Sequence, residues 1–260
     1  RNKFNFKAIC GCKPIVLILN MPDLSFKETE ICFLKNSYFF STQTWDQLRA
    51  MPFSERLAAI RDEEFRNKLI NEAKGNEKCD ALAKRLCWLG AGESPKYTRD
   101  LEDNLYNEAK LQNKCGAQLW LERMLESDGE TMFHAPFFNM EYEKTYELLS
   151  RDWVVPGLGD AGAHVTSICD SGWSSFYLGH WVRDTNRIAL PEAIRKMTSL
   201  PAKVLGLDDR GVIKQGMKAD INVIDMERVA ERHPQISDDF PCGASRLLQR
   251  AMGYRATVCN

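Results

Sequence analysis

Asp160 stands in Gly157-Leu-Gly-Asp-Ala-Gly-Ala-His164, directly after the short apolar run Trp153-Val-Val-Pro156. That order predicts a strand end, an acid, then a tight glycine turn. A carboxylate at the carboxyl end of a buried strand can bind a metal or take a proton, and in α/β barrels active sites collect on that face. The small residues around it let backbone and substrate come close. The same pattern also fits a plain strand-to-loop turn whose Asp bonds its own backbone. Cys10-Gly-Cys12 is the one close cysteine pair; a C-x-C with no second pair or nearby His is a weak soft-metal signal.

The elements that must position Asp160 follow from periodicity. Lys13–Met21 predicts a buried strand, and residues 22–43 show no clean period. Ser54 precedes an amphipathic run with Leu57, Ile60, Phe65 and Leu69, which predicts a capped helix broken near Asp62. Residues 74–101 are polar and turn-rich. Residues 116–127 predict a helix, Thr131–Phe137 a short buried strand carrying His134, and 141–150 a helix. Two further helices are expected over 174–183 and 190–205, the second with Leu190, Ile194 and Met197 on one face. After Gly206 the pattern turns to β, with short segments at Gly211–Gly216, Ala219–Asp225 and Tyr254–Val258.

The chain has 260 residues, 44% of them hydrophobic, and a formal net charge of −1. Length and core content fit one large domain, or one domain plus a small partner. The charge balance gives no electrostatic case for nucleic acid or an anionic membrane. No apolar run approaches the roughly 18 residues a spanning helix needs. The nine cysteines are odd in number and scattered, which favours a reducing compartment, and hence a cytoplasmic location, over a disulfide framework. The chain starts at Arg1 and stops within a strand-like pattern, so a piece of a longer protein is expected.

Two blocks carry a family resemblance. Thr198–Asp225 resembles the return into the small β-domain of the metal-dependent amidohydrolase superfamily. Gly157–His164, then Ile168-Cys-Asp170, then His180-Trp-Val-Arg-Asp184, together with Pro136-Phe-Phe-Asn139 and Leu57–Asp62, look like its N-acyl-D-amino-acid deacylase (D-aminoacylase) branch. The resemblance is nearly continuous from about residue 45 to 260. It implies an α/β fold: the late strands and helices of a (β/α)8 TIM-like barrel over 1–206, and part of a small β-sandwich over 207–260. It also implies zinc and hydrolysis of an N-acyl-D-amino acid, a small-molecule partner. Asp160 maps onto the family's metal-binding, proton-moving aspartate; His164, Asn139 and Asp170 are the expected substrate-binding residues.

Against the family pattern, the four histidines His134, His164, His180 and His233 form no His-x-His pair. The early metal ligands are therefore expected upstream, and the segment alone is expected to be inactive. His134 reads as a core histidine, His180 and Arg183 as a buried polar network, and His233 as a surface residue. Trp173, Phe176, Tyr177 and Trp181 read as helix core, with Trp173 a candidate for an acyl pocket. Three alternatives stay open: a cyclic-amide hydrolase of the hydantoinase or dihydroorotase kind, a non-catalytic remnant, and a thiol-based metal module at Cys10 and Cys12.

Overall fold

The computed structural model describes residues 8–10, 15–19, 42–97, 102–138, 141–157, 171–244 and 246–259. The chain divides into two compact units. One comprises residues 17–92 and 96–136; the other comprises 1–16, 93–95 and 137–260.

The first unit is mainly helical: α1 (Gln43–Ala50), α2 (Phe53–Arg61), α3 (Glu63–Ala73), α4 (Glu77–Ala83), α5 (Leu105–Leu111) and α6 (Gly116–Glu126). The break expected near Asp62 is real. Asp62 is extended between two helices, and its carboxylate accepts from Phe65 N at 2.8 Å, capping α3. Ser54 is not the cap of α2. That helix begins at Phe53, after Pro52, whose ψ of 145° keeps it outside the helix. The turn-rich stretch 74–101 holds more order than its composition predicts. Asn76 accepts from Lys78 N and Cys79 N and so starts α4; β3 (Cys87–Trp88) follows. The core gathers on α6, where Leu119, Trp120, Leu121 and Met124 are all buried. Trp120 meets Trp45 edge-on at 5.6 Å and stacks on Phe133 at 6.4 Å. Phe133 belongs to β4 (Phe133–Phe138). The sheet order is β2 (Ile15–Leu19), β4, β3, and β3 runs antiparallel to β4, pairing Cys87 with His134 and Trp88 with Phe133.

In the second unit β1 (Ala8–Cys10) pairs parallel with β5 (Val154–Pro156), Ala8 facing Val154 and Cys10 facing Pro156. Between β4 and β5 runs α7 (Tyr142–Leu149). After β5 come the single turn α8 (Trp173–Phe176), a π-helical segment Tyr177–Asp184, α9 (Leu190–Met197) and α10 (Ser199–Leu205). The expected single helix over 190–205 is broken at Thr198 (φ −128°, ψ −84°). Pro201 explains the break. It cannot donate back to Met197, so it sits in the first turn of a new helix, where no donor is needed. The expected inward stripe of α9 is also rotated: Leu190 and Ile194 are each 39% exposed, while Ala193 and Lys196 are buried.

The tail forms three antiparallel pairs: β6 (Ile221–Ile224) with β11 (Tyr254–Val258), β7 (Ala230–Glu231) with β10 (Ala251–Met252), and β8 (Gln235–Ser237) with β9 (Arg246–Leu248). The strand expected at Gly211–Gly216 does not form. Both glycines take left-handed φ, +90° and +88°, and Ile213 is fully outside any core. Ions hold this loop instead. Arg210 and Lys218 both bind Asp209, and Arg210 also reaches Asp220. Hydrogen bonds from Arg210 and Lys218 hold the Asp209 carboxyl down to about 2.

Gly253, at φ +85°, turns the chain from β10 into β11. A Cβ there would lie 2.5 Å from Val229 N, which is backbone and cannot yield cheaply. Gly253→Ala is therefore expected to cost about 2–4 kcal/mol, combining left-handed strain and overpacking. Urea unfolding followed by circular dichroism measures it; a loss under about 0.5 kcal/mol, the usual range for surface changes, would refute the close-approach argument.

Among the described residues the strands make a three-stranded sheet, one parallel pair and the tail pairs. They do not trace a closed barrel; helices and strands together make an α/β arrangement. No helix among the described residues is long and apolar enough to cross a membrane.

Candidate functional site

β5 is the element expected to deliver Asp160, and its setting is clear. Val154 is buried, its N–H bonds Arg151 O at 3.1 Å, and α7 and α9 both pack on the strand. The described chain continues through Gly157. Asp160, His164, Asp170 and Asn139 all lie outside the described residues. The structure nevertheless fixes what borders them in sequence: β5 ends four residues before Asp160, α8 begins three residues after Asp170, and β4 ends immediately before Asn139.

His180 sits half-buried in an aromatic group. Its ring lies 4.6 Å from Trp181, 5.0 Å from Phe176 and 5.5 Å from Tyr142. Burial holds its imidazole below the ordinary range, with Asp184 opposing and Arg187 assisting. A neutral ring among aromatics is a packing group. Arg183 donates to Val229 O at 2.7 Å and to the Asp184 carboxylate at 2.6 Å, tying the π-helical segment to the start of the tail. Of the expected buried polar network, only the Arg183 half forms; His180 packs among aromatic rings instead. Phe176, Tyr177 and Trp181 are core, as expected, whereas Trp173 is only partly buried. His134 is fully buried on β4, edge-on to Tyr97 at 5.7 Å, and is a core histidine. His233 is partly buried rather than fully exposed.

Cys79, Cys87, Cys115, Cys242 and Cys259 are thiols rather than disulfides. Burial, with Asp80 adding, pushes the Cys79 thiol up to about 11, so it packs as an unreactive small apolar group. Cys10 and Cys12 offer no test of the thiol-module alternative: no side chain is described for Cys10, and Cys12 lies outside the described residues.

A cleft of about 900 Å³ opens between α8, α9 and the tail strands. Leu178, Ile194, Met197, Ile221 and Tyr254 line it, and Ser175 Oγ meets Tyr254 Oη at 3.2 Å across it. It offers apolar surface and hydroxyls, and among the described residues no histidine or cysteine lines it.

Zinc needs three or four ligands of the His, Cys or carboxylate kind. Among the described residues no group of three or more such side chains could hold a metal. They therefore do not form a zinc site among themselves.

A curated N-acyl-D-glutamate deacylase of Alcaligenes xylosoxydans xylosoxydans is 45% identical over 62 residues, 23% of this chain and 13% of that protein. A dihydroorotase of Endomicrobium trichonymphae is 48% identical over 44 residues, 17% of this chain and 10% of that protein. Among solved structures, the N-acyl-D-glutamate deacylase of Bordetella bronchiseptica, complexed with zinc and a phosphonate inhibitor, matches 69% of this chain and 35% of its own, at 19% identity and a TM-score of 0.36. A D-aminoacylase structure matches at 20% identity and a TM-score of 0.35, over 67% of this chain and 33% of its own. The chain thus spans about a third of the solved relatives, and the aligned stretches are small parts of the curated ones. A family model described as the amidohydrolase family matches residues 122–260, just over half of the chain, and this chain belongs to that family.

Proposed function

We propose that this chain is the carboxyl-terminal part of a zinc-dependent hydrolase that removes the acyl group from N-acyl-D-amino acids. The observation that carries this reading is the 45% identity to an N-acyl-D-glutamate deacylase over 62 residues, within a chain of amidohydrolase membership. On this reading residues 1–206 are the late part of a barrel and 207–260 part of a β-sandwich. Asp160 is the metal ligand contributed by this segment. One carboxylate cannot hold zinc tightly, so the remaining ligands come from outside it, and the isolated segment does not turn over.

The chemistry assigned to this chain's own residues is proton movement. A water oxygen bonds to the amide carbon, and Asp160 takes the proton the water gives up. The C–N bond then breaks, and Asp160 returns a proton to the leaving nitrogen, releasing a carboxylate and an amine. His164, Asn139 and Asp170 are assigned to holding the substrate and its loop. A reducing, cytoplasmic setting suits the thiols.

The dihydroorotase match favours a second reading, a cyclic-amide hydrolase. Incubating the whole zinc-containing protein with N-acetyl-D-methionine and, separately, with a hydantoin separates the two. The first reading expects amine release from the linear amide only. Hydantoin opening with no linear turnover would select the second, and neither activity would favour a non-catalytic remnant.

A further inference from the structure

Lys196 is a buried ammonium on α9, with 1% of its side chain exposed. Its Nζ donates to Leu149 O, and to Arg151 O at 2.8 Å. Glu192, one turn away, stands at 4.0 Å. Leu149 is the last residue of α7, and Arg151 lies in the turn into β5. The last carbonyls of a helix have no partner within it. Here Ser150 N takes Tyr146 O and Arg151 N takes Leu148 O, while Lys196 takes Leu149 O. Arg151 O accepts from both Lys196 Nζ and Val154 N. One carbonyl thus joins the ammonium to the first residue of β5.

An apolar side chain would fill this space at lower desolvation cost; what the ammonium adds is donors for two carbonyls that packing cannot satisfy. Burial pushes the Lys196 ammonium towards its neutral form, with Arg195 adding, while Glu192 and Asp152 oppose that loss. The site lies at the amino end of β5, and Asp160 follows four residues beyond its carboxyl end.

We propose that Lys196 is a positioning residue: it fixes where β5 starts, the strand that leads in sequence towards Asp160. This rests on the assignment of Asp160 made above. Lys196 does not touch substrate, and its effect runs through the α7–β5 turn.

Amide hydrogen exchange on the whole protein tests it, comparing wild type with Lys196→Met and Lys196→Arg. Methionine keeps the length and loses the donors; arginine keeps a cation that can donate to both carbonyls. In Lys196→Met, Val154 and Val155 are expected to exchange at least about tenfold faster, the effect of losing charge-assisted bonds. Leu119–Met124 in α6 and the π-helical segment should exchange as in wild type, and Lys196→Arg should recover part of the protection. Unchanged exchange at Val154 and Val155 would overturn the proposal. So would equal acceleration in α10 and the π-helical segment without recovery by arginine, since that marks a merely structural role. If Lys196→Met does not fold, Lys196→Gln, which keeps one donor group, is read by the same pattern. Exchange needs no turnover, so this test can fail while the deacylase reading stands, and the Asp160 test below can fail while the Lys196 contact stands.

Discussion

On the proposed deacylase reading, Asp160→Asn in the whole protein is expected to lower kcat on N-acetyl-D-methionine by about 10²–10⁴-fold, with KM little changed. Asparagine keeps the size and one acceptor oxygen but cannot take a proton from water or return one to nitrogen. The loss should therefore fall on the chemical step rather than on substrate binding. The acidic limb of the kcat/KM profile, which reports the free enzyme's base, should disappear with it. Zinc content measured on the same sample separates two causes. Full zinc with low kcat assigns the proton role, and lost zinc assigns the ligand role. Retention of kcat within about threefold would mean the proton travels elsewhere, because removing a positioned base ordinarily costs far more.

Trp120→Ala is expected to cost about 3–5 kcal/mol, the usual range for a fully buried tryptophan cut to alanine. Trp120 is 4% exposed on α6 and lies between Trp45, 5.6 Å away, and Phe133, 6.4 Å away. Those two come from α1 and β4, so the indole joins three elements of the helical unit. Nothing polar can refill such a cavity without its own cost. Chemical denaturation followed by near-ultraviolet circular dichroism should show an early transition for this unit. A loss below about 1 kcal/mol would mean that the three rings do not form one core.

The contrast between α2–α3 and α9 shows what the sequence made legible. The break at Asp62 was readable because a capping acid states its role locally: its own carboxylate closes the next helix. Helix α4 was missed although Asn76 carries the same signal, because the composition around it masked the period. The inward face of α9 was misread because Leu190 and Ile194 outweigh Lys196 on any hydropathy scale. Lys196 turns inward for two carbonyls that lie about 45 residues earlier, and no local pattern holds that information. Val212-Ile213 misled in the same way: it looks like a strand, but flanking left-handed glycines and the Asp209 ion cluster make it a loop. For the candidate site, the strand β5 was legible, since a short apolar run before a glycine cluster has few other readings, while the glycine turn itself lies outside the described residues. The roles of Asp160, His164, Asn139 and Asp170 came from family resemblance, because a single acid in a glycine turn carries no metal set with it.

On the proposed reading this segment completes a zinc deacylase whose other ligands are encoded upstream. The most direct test is to sequence the encoding transcript 5′ of the Arg1 codon. The prediction is an open frame carrying a strand with His-x-His and two later barrel histidines. A stop codon or a start codon just ahead of Arg1 would contradict it, because Asp160 would then have no metal site to serve.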